Sequence, residues 1–258
     1  MKKAYLFLTF YLFFVSCHKD WDNPGKDTHC RIIQLKTPNL NEEEPPFRIG
    51  TIHYNQYGQP DSITYNEIPF TGAPWYQFGY DEKHRLTDFL LVYTGKLSYD
   101  SWYRYHYDDY GRISSDTIYS FGGSEGNYPV AGDYAFAYVD FYGYDQQNRI
   151  TSISSRMIYP SNTVDFDTTT YYTYYHYNEK GNLGDNYSSA LNINSTNKIF
   201  QFINRDYSVN SPVEPLMVNE KNLPVKYGPN SDAPPYGLFF DFAFANTEIE
   251  YDCGSNSN

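Results

Sequence analysis

The stretch YDDYGRI at residues 107–113 is the clearest copy of a unit that occurs six times in this chain. The stretch YDQQNRI at residues 144–150 matches it position for position. Each copy has an apolar anchor, then a polar turn, then a second apolar residue; the anchors are Tyr54, Tyr80, Tyr107, Tyr144, Tyr177 and, in a degenerate copy, Val218. A unit repeated every 26 to 41 residues predicts an architecture of repeated hairpins.

The residues after the anchor predict the same turn in every copy. An Asn or Asp follows each anchor, and its side chain can bond the backbone two residues on. Four residues after the anchor stand Gly58, His84, Gly111, Asn148, Gly181 and Asn222. These residue types tolerate positive φ. The pattern is typical of a type I turn followed by a left-handed residue, a hairpin connection that carries a bulge.

Apolar side chains on both sides of the turn predict the strands. Residues two before the anchor share its face, because side chains alternate along a strand. Residues six after the anchor, among them Ile113 and Leu183, are predicted to open a return strand. The chain is therefore predicted to be all-β, an antiparallel meander of about six hairpins in a large twisted or curled sheet.

The segments between the hairpins vary. Residues 122–132 and 159–167 are predicted to be long surface loops. Residues 195–204 follow capping residues and carry apolar side chains at helical spacing, which predicts a short helix, with a strand as the alternative. Residues 238–245 and 247–253 are predicted to be closing strands. We expect one β domain over residues 29–253 and a disordered tail at 254–258.

The N-terminus predicts export and lipidation. Lys2 and Lys3 precede an apolar run at residues 4–15, which is too short to span a bilayer and fits a secretory signal. Residues 14–17, FVSC, resemble a bacterial lipobox, which implies removal of residues 1–16 and a diacylglycerol on Cys17. An ordinary signal with a fortuitous cysteine is the alternative. Residues 17–28 would then be a tether.

Residues 18–22, HKDWD, are similar to the surface-export signals of Bacteroidota lipoproteins. The predicted location is the outer membrane or cell surface, with a periplasm-facing anchor as the alternative. The predicted mature chain has 17 Lys and Arg against 31 Asp and Glu, a formal charge of −14, because residues 1–16 hold two lysines and no acids. Such a surface repels nucleic acid and anionic lipid, so no nucleic-acid partner is expected.

The repeats resemble the YD repeats of the Rhs family, in which tyrosine-aspartate, a glycine turn, arginine and an aliphatic residue recur. They resemble still more closely the small YD-repeat lipoproteins of Bacteroidota, which are grouped only as domains of unknown function. The resemblance covers most of residues 48–227 and implies architecture but no activity. Six copies are too few to build the cargo shell of the large Rhs proteins.

Cys30 and Cys253 remain if Cys17 carries lipid. Exported proteins keep disulfides, and two cysteines near the ends of the folded region predict a bridge. Two buried, unpaired thiols are the alternative, because sequence does not give the distance.

Aromatic residues and histidines are the candidates for ligand contacts. We assign most of the 30 tyrosines to strand packing, since they occupy repeat positions. Trp75 and Trp102 lie outside the repeat and are the candidates for an exposed contact. His53, His106 and His176 precede the anchors of alternate copies and are weak candidates for a metal site. Solvent-facing strand histidines are the preferred interpretation, and no cofactor is predicted.

No catalytic motif of the kinds G-x-S-x-G, H-E-x-x-H, P-loop or C-x-x-C occurs. Our leading hypothesis is a non-enzymatic, lipid-anchored envelope module that binds a glycan or a partner protein through its variable loops. The alternatives are a glycan hydrolase that uses a carboxylate pair and a purely structural spacer.

Overall fold

The computed structural model describes residues 30–39, 46–66, 75–93, 98–125, 128–159, 169–229, 238–240 and 242–254. The predicted signal, Cys17 and the tether lie outside these residues, as do most of the predicted loop at 159–167 and of the predicted tail. Within the described part of the chain, no helix is long and apolar enough to cross a membrane.

Thirteen strands form one antiparallel sheet, which confirms the predicted all-β meander. The strands of this sheet are β1 (Arg31–Pro38), β2 (Phe47–Tyr54), β3 (Pro60–Tyr65), β4 (Trp75–Tyr80), β5 (Leu86–Val92), β6 (Ser98–Tyr107), β7 (Ile113–Glu125), β8 (Tyr128–Tyr144), β9 (Ile150–Tyr159), β10 (Tyr171–Tyr174), β11 (Met217–Val218), β12 (Pro224–Lys226) and β15 (Glu248–Asp252). Their spatial order is β10-β9-β8-β7-β6-β5-β4-β3-β2-β1-β15-β12-β11. The sheet is open, with β10 and β11 at its two edges.

The predicted turn chemistry is confirmed in all six copies. The residue four after each anchor has a φ between 59° and 82°. In the clearest copy, Asp108 Oδ1 accepts hydrogen bonds from the backbone N–H groups of Tyr110 and Arg112, each at 2.9 Å. A register shift beside the anchor marks the bulge in five hairpins.

Two contacts join neighbouring hairpins, and both occur together at the anchors Tyr107 and Tyr144. The anchor hydroxyl donates to the carbonyl that opens the preceding return strand, for example from Tyr107 to Leu86 at 2.8 Å and from Tyr144 to Ile113 at 2.6 Å. The turn arginine pairs with the turn aspartate and also lies over the next anchor ring, as Arg85 does at 4.3 Å from the Tyr107 centroid. The repeated residues are thus a scaffold that fixes the distance between neighbouring hairpins.

A seventh repeat is assembled from the two ends of the described chain. Tyr251 on β15 is its anchor, and its hydroxyl donates to the Pro224 carbonyl at 2.8 Å. Asp252 takes the turn-aspartate position and pairs with Arg31 on β1, whose guanidinium lies 5.2 Å from the Tyr54 ring centroid. A disulfide between Cys30 and Cys253 stands where the other copies have a turn. Sequence reasoning found six copies because the two halves of this one are separated by more than 200 residues.

A smaller layer covers the inner face of the sheet, the face that carries the anchors. It contains a 3-10 helix (Ile193–Thr196), helix α1 (Lys198–Ile203) and a small hairpin of β13 (Leu238–Phe239) and β14 (Phe242–Ala243). The predicted short helix is confirmed and the alternative strand is wrong, because Asn192 and Asn197 side chains cap successive helical segments. Phe200, Phe239 and Phe242 are fully or almost fully buried between the two layers.

Three expectations about the variable segments are wrong. Residues 122–132 are not a loop, because β7 and β8 stay paired as far as Glu125 and Tyr128. Leu183 opens no return strand, since the Asn182 side chain accepts from the backbone of Asn210 and the chain leaves the sheet. Residues 238–245 do not form one closing strand: Phe240 has a φ of 54°, and the strands Leu238–Phe239 and Phe242–Ala243 pair with each other in a small separate sheet.

Candidate functional site

Trp102 is not an exposed contact. It is 3% exposed, packs edge-on against Tyr99, and donates from its indole nitrogen to Asp88 Oδ1 at 2.7 Å. The outer face of β6 therefore carries a small second core where a ligand platform was expected. Trp75 is half-buried and packs against the main core. Neither tryptophan forms a site.

His53, His106 and His176 do not come together. All three are exposed, and the first two lie on β2 and β6, four strands apart in the sheet. Neighbouring strands are about 4.8 Å apart, which is too far for shared metal ligation across four strands. Among the described residues, no group of three or more His, Cys, Asp or Glu could hold a metal ion.

A cleft of about 270 Å³ lies between the inner face of the sheet and the covering layer. We call it the aromatic cleft; its lining residues are Tyr76, Phe89, Leu91, Tyr103, Tyr105, Tyr142, Phe202, Ile203, Asn204, Arg205 and Phe240. The rings form two contact groups, and in the first Tyr76 stacks on Phe89 with centroids 5.6 Å apart. On the other side, Phe202 contacts Tyr105 and Tyr142 at 5.3 and 5.2 Å. Such a surface suits the flat apolar face of a ring-shaped ligand.

Polar groups with free hydrogen-bonding capacity line the same cleft. The hydroxyls of Tyr103 and Tyr105 make no hydrogen bond within the described part of the chain. The guanidinium of Arg205 makes one there, from Nη2 to Asp140 Oδ2 at 3.2 Å, and its side chain is one-third exposed. A guanidinium has five N–H donors, so several remain for a ligand.

Two residues of the cleft have an unfavourable backbone conformation. Arg205 and Phe240 have φ values of 55° and 54°, a region that bulky side chains rarely adopt. They are linked, because Asn204 Oδ1 accepts a hydrogen bond from the Phe240 backbone N–H at 3.0 Å. Strain of this kind concentrates at ligand clamps and active sites.

Two buried aspartates lie beneath the cleft and form what we call the aspartate pair, Asp116 on β7 and Asp140 on β8. They face each other across the two strands and are 0% and 3% exposed. The Tyr142 hydroxyl donates to Asp116 Oδ2 at 2.7 Å. Burial is the main cause that raises the pKa of Asp116 to about 7, and the charge of Asp140 adds to it, against the opposing effects of Tyr142 and Arg205.

The aspartate pair was missed in the sequence although the repeats contain a signal for it. Asp116 stands nine residues after its anchor, where other copies place Ile63, Phe89 and Ile153. Asp140 stands four before its anchor, where two other copies place Tyr76 and Tyr103. An acid at a position that is aromatic or aliphatic in several other copies marks a departure from scaffold chemistry.

No protein-family model matches the chain, and no curated protein sequence matches it. The resemblance to YD repeats therefore rests on the repeat residues themselves.

Proposed function

We propose that this protein is a lipid-anchored envelope module that binds a glycan, and that the aromatic cleft is its binding site. The observation that carries the proposal is the pairing of seven aromatic rings with unpartnered hydrogen-bonding groups in one concave surface. A pyranose ring presents an apolar C–H face and a rim of hydroxyls. The aromatic rings suit the face, and Arg205, Tyr103 and Tyr105 suit the rim.

The charge of the cleft favours a neutral sugar. Arg205 is the one cation that lines it, and its charge is offset by Asp140. A ligand of either charge would therefore find little net attraction. The proposed binding site is therefore the cleft between the sheet and the covering layer, and not the variable loops.

Binding is tested with purified protein on a glycan array and by fluorescence titration with 4-methylumbelliferyl β-glucoside, a neutral glycoside. Tyr103→Ala removes both a ring and a hydroxyl from the cleft and should lower affinity about fivefold or more, since aromatic contacts are worth about 1 kcal/mol or more. Tyr172→Ala is the matched control, because Tyr172 is 63% exposed on β10 and lies outside the cleft. Equal affinity of both variants and the wild type would refute the assignment.

A glycan hydrolase is the second candidate, and the aspartate pair is the observation that favours it. Glycosidases use two carboxyl groups whose surroundings drive their pKa values apart. Neither aspartate lines the cleft, which is why binding is preferred. Release of 4-methylumbelliferone by the wild type and its loss in Asp116→Asn would support hydrolysis, whereas binding without release supports the module.

The lipid anchor is tested independently of the ligand. Cys17→Ser should abolish labelling by a radioactive fatty acid and release the protein from membranes. Tyr172→Ala, whose side chain is 63% exposed, is the control for a folded variant that keeps Cys17. Continued labelling of the Cys17→Ser protein would refute the anchor.

A further inference from the structure

The aspartate pair puts two acidic side chains directly opposite each other on neighbouring strands. Asp116 and Asp140 are direct cross-strand neighbours on the inner face, and both are buried. Like charges in this arrangement destabilise a sheet. Burial makes the repulsion stronger, because little water is present to screen it.

The groups that face the pair supply one positive charge. From β6, Tyr103 and Tyr105 face it, and from β8, Tyr142 does. Arg205, which follows the C-cap residue of α1, donates a hydrogen bond to Asp140. One guanidinium balances one carboxylate, so the other acid remains uncompensated unless it holds a proton.

The remaining oxygens of the pair are consistent with a retained proton. Asp116 Oδ1 and Asp140 Oδ1 are buried and have no hydrogen-bond partner within the described residues. Two carboxylates offer acceptors only, whereas a protonated carboxyl also offers an O–H donor. One proton therefore gives the pair an O–H donor of its own.

We propose that the aromatic cleft is a pH-dependent site, which has its binding-competent form while the aspartate pair holds one proton and loses it when that proton leaves. The binding part of this proposal rests on the glycan site proposed above. When the proton leaves, Asp116 competes with Asp140 for the Arg205 guanidinium and draws its free N–H groups away from the cleft. Arg205 follows Asn204, which accepts a hydrogen bond from the Phe240 backbone, so the same shift reaches Phe240 in the covering layer.

The change is expected near neutral pH. Burial raises the pKa of Asp116 to about 7, so the proton is retained below pH 6 and released by pH 8. If only the protonated form binds, affinity for 4-methylumbelliferyl β-glucoside should fall about tenfold between pH 6 and pH 8. Asp116→Asn, which mimics the neutral acid, should bind with a flat pH profile.

A ligand-free measurement separates this proposal from the glycan assignment. Hydrogen exchange of residues 199–205, corrected for the intrinsic pH dependence of exchange, should show a transition near pH 7 in the wild type. Asp116→Asn should abolish the transition, and Asp140→Asn should move it to lower pH because Arg205 then pairs with Asp116 alone. Asp108→Asn, in a repeat turn, is the control that should leave the transition in place.

The outcomes are distinct. A transition without glycoside binding at any pH sinks the glycan assignment and leaves the pH-dependent cleft. Glycoside binding with no exchange transition, or a transition that persists in Asp116→Asn, refutes the pH-dependent cleft and leaves the glycan site.

Discussion

The repeat turns and the aspartate pair beneath the cleft both combine Asp, Arg and Tyr side chains. The pKa of the aspartate is lowered in the turns and raised beneath the cleft. In each arginine-bearing turn, Asp, Arg and Tyr meet near the solvent. Burial there opposes ionisation, but hydrogen bonds from the backbone and guanidinium of Arg112 outweigh it and lower the pKa of Asp108. Beneath the cleft, Asp116 meets Tyr142 and Arg205 without solvent, and burial dominates. The depth of burial thus separates a structural carboxylate from a proton-holding acid.

The largest predicted effect concerns the stability of the repeat scaffold. Replacing both Cys30 and Cys253 by Ser removes a bridge across 223 residues and should destabilise the fold by about 5 kcal/mol on the chain-entropy model. Urea unfolding of the double variant, compared with the wild type under non-reducing conditions, measures it. A loss below about 1 kcal/mol would mean that β1 and β15 stay paired in the denatured ensemble.

Arg205→Ala tests the buried ion pair beneath the cleft. The change leaves Asp140 buried and without its cation, which should cost about 3–5 kcal/mol, measured by urea unfolding at pH 7. Arg112→Ala is the matched control, since Asp108 is nearer to solvent and the exposed pair is worth about 1 kcal/mol or less. Equal losses for the two arginines would contradict the difference in burial.

The pH dependence of stability separates the two environments further. The pKa of Asp116 is raised from 3.8 to about 7 in the folded state. The contribution of this proton to the free energy of unfolding is therefore fully present below pH 3.8 and is lost as pH rises through 7. The free energy of unfolding should fall by a few kcal/mol over this range relative to Asp116→Asn. The turn aspartates have lowered pKa values, so their contribution has the opposite sign and is lost as pH falls below about 4.

The smallest effect comes from a single anchor hydroxyl. Tyr107→Phe removes the hydrogen bond to the Leu86 carbonyl and should cost about 1 kcal/mol, measured as a shift of the urea midpoint. Tyr110→Phe is the control, because Tyr110 is 82% exposed in the turn and its hydroxyl lies in solvent. A neutral Tyr107→Phe would show that ring packing alone holds neighbouring hairpins together.

The sequence predicts the scaffold well because its chemistry is local. A turn such as residues 108–112 closes through contacts within five residues, so its Asp and Gly can be recognised in one stretch. The cleft is different, since it brings Tyr76, Tyr142, Arg205 and Phe240 together from distant parts of the chain. Trp102 was misjudged for the same reason, because residues 122–132, which extend the hairpin of β7 and β8 next to Tyr99, were expected to be a loop.

In the seventh repeat, the first and last strands of the described chain, β1 and β15, pair with each other. The two ends of the fold are therefore adjacent. The two ends of the described chain are joined by a disulfide at the position of an ordinary turn, so the hairpin forms there without a continuous peptide backbone. A gene that begins with Gly111 and ends with Tyr110, with a short peptide joining residues 253 and 30, should therefore encode the same sheet. Every repeat turn is in this sense an equivalent place to begin the polypeptide.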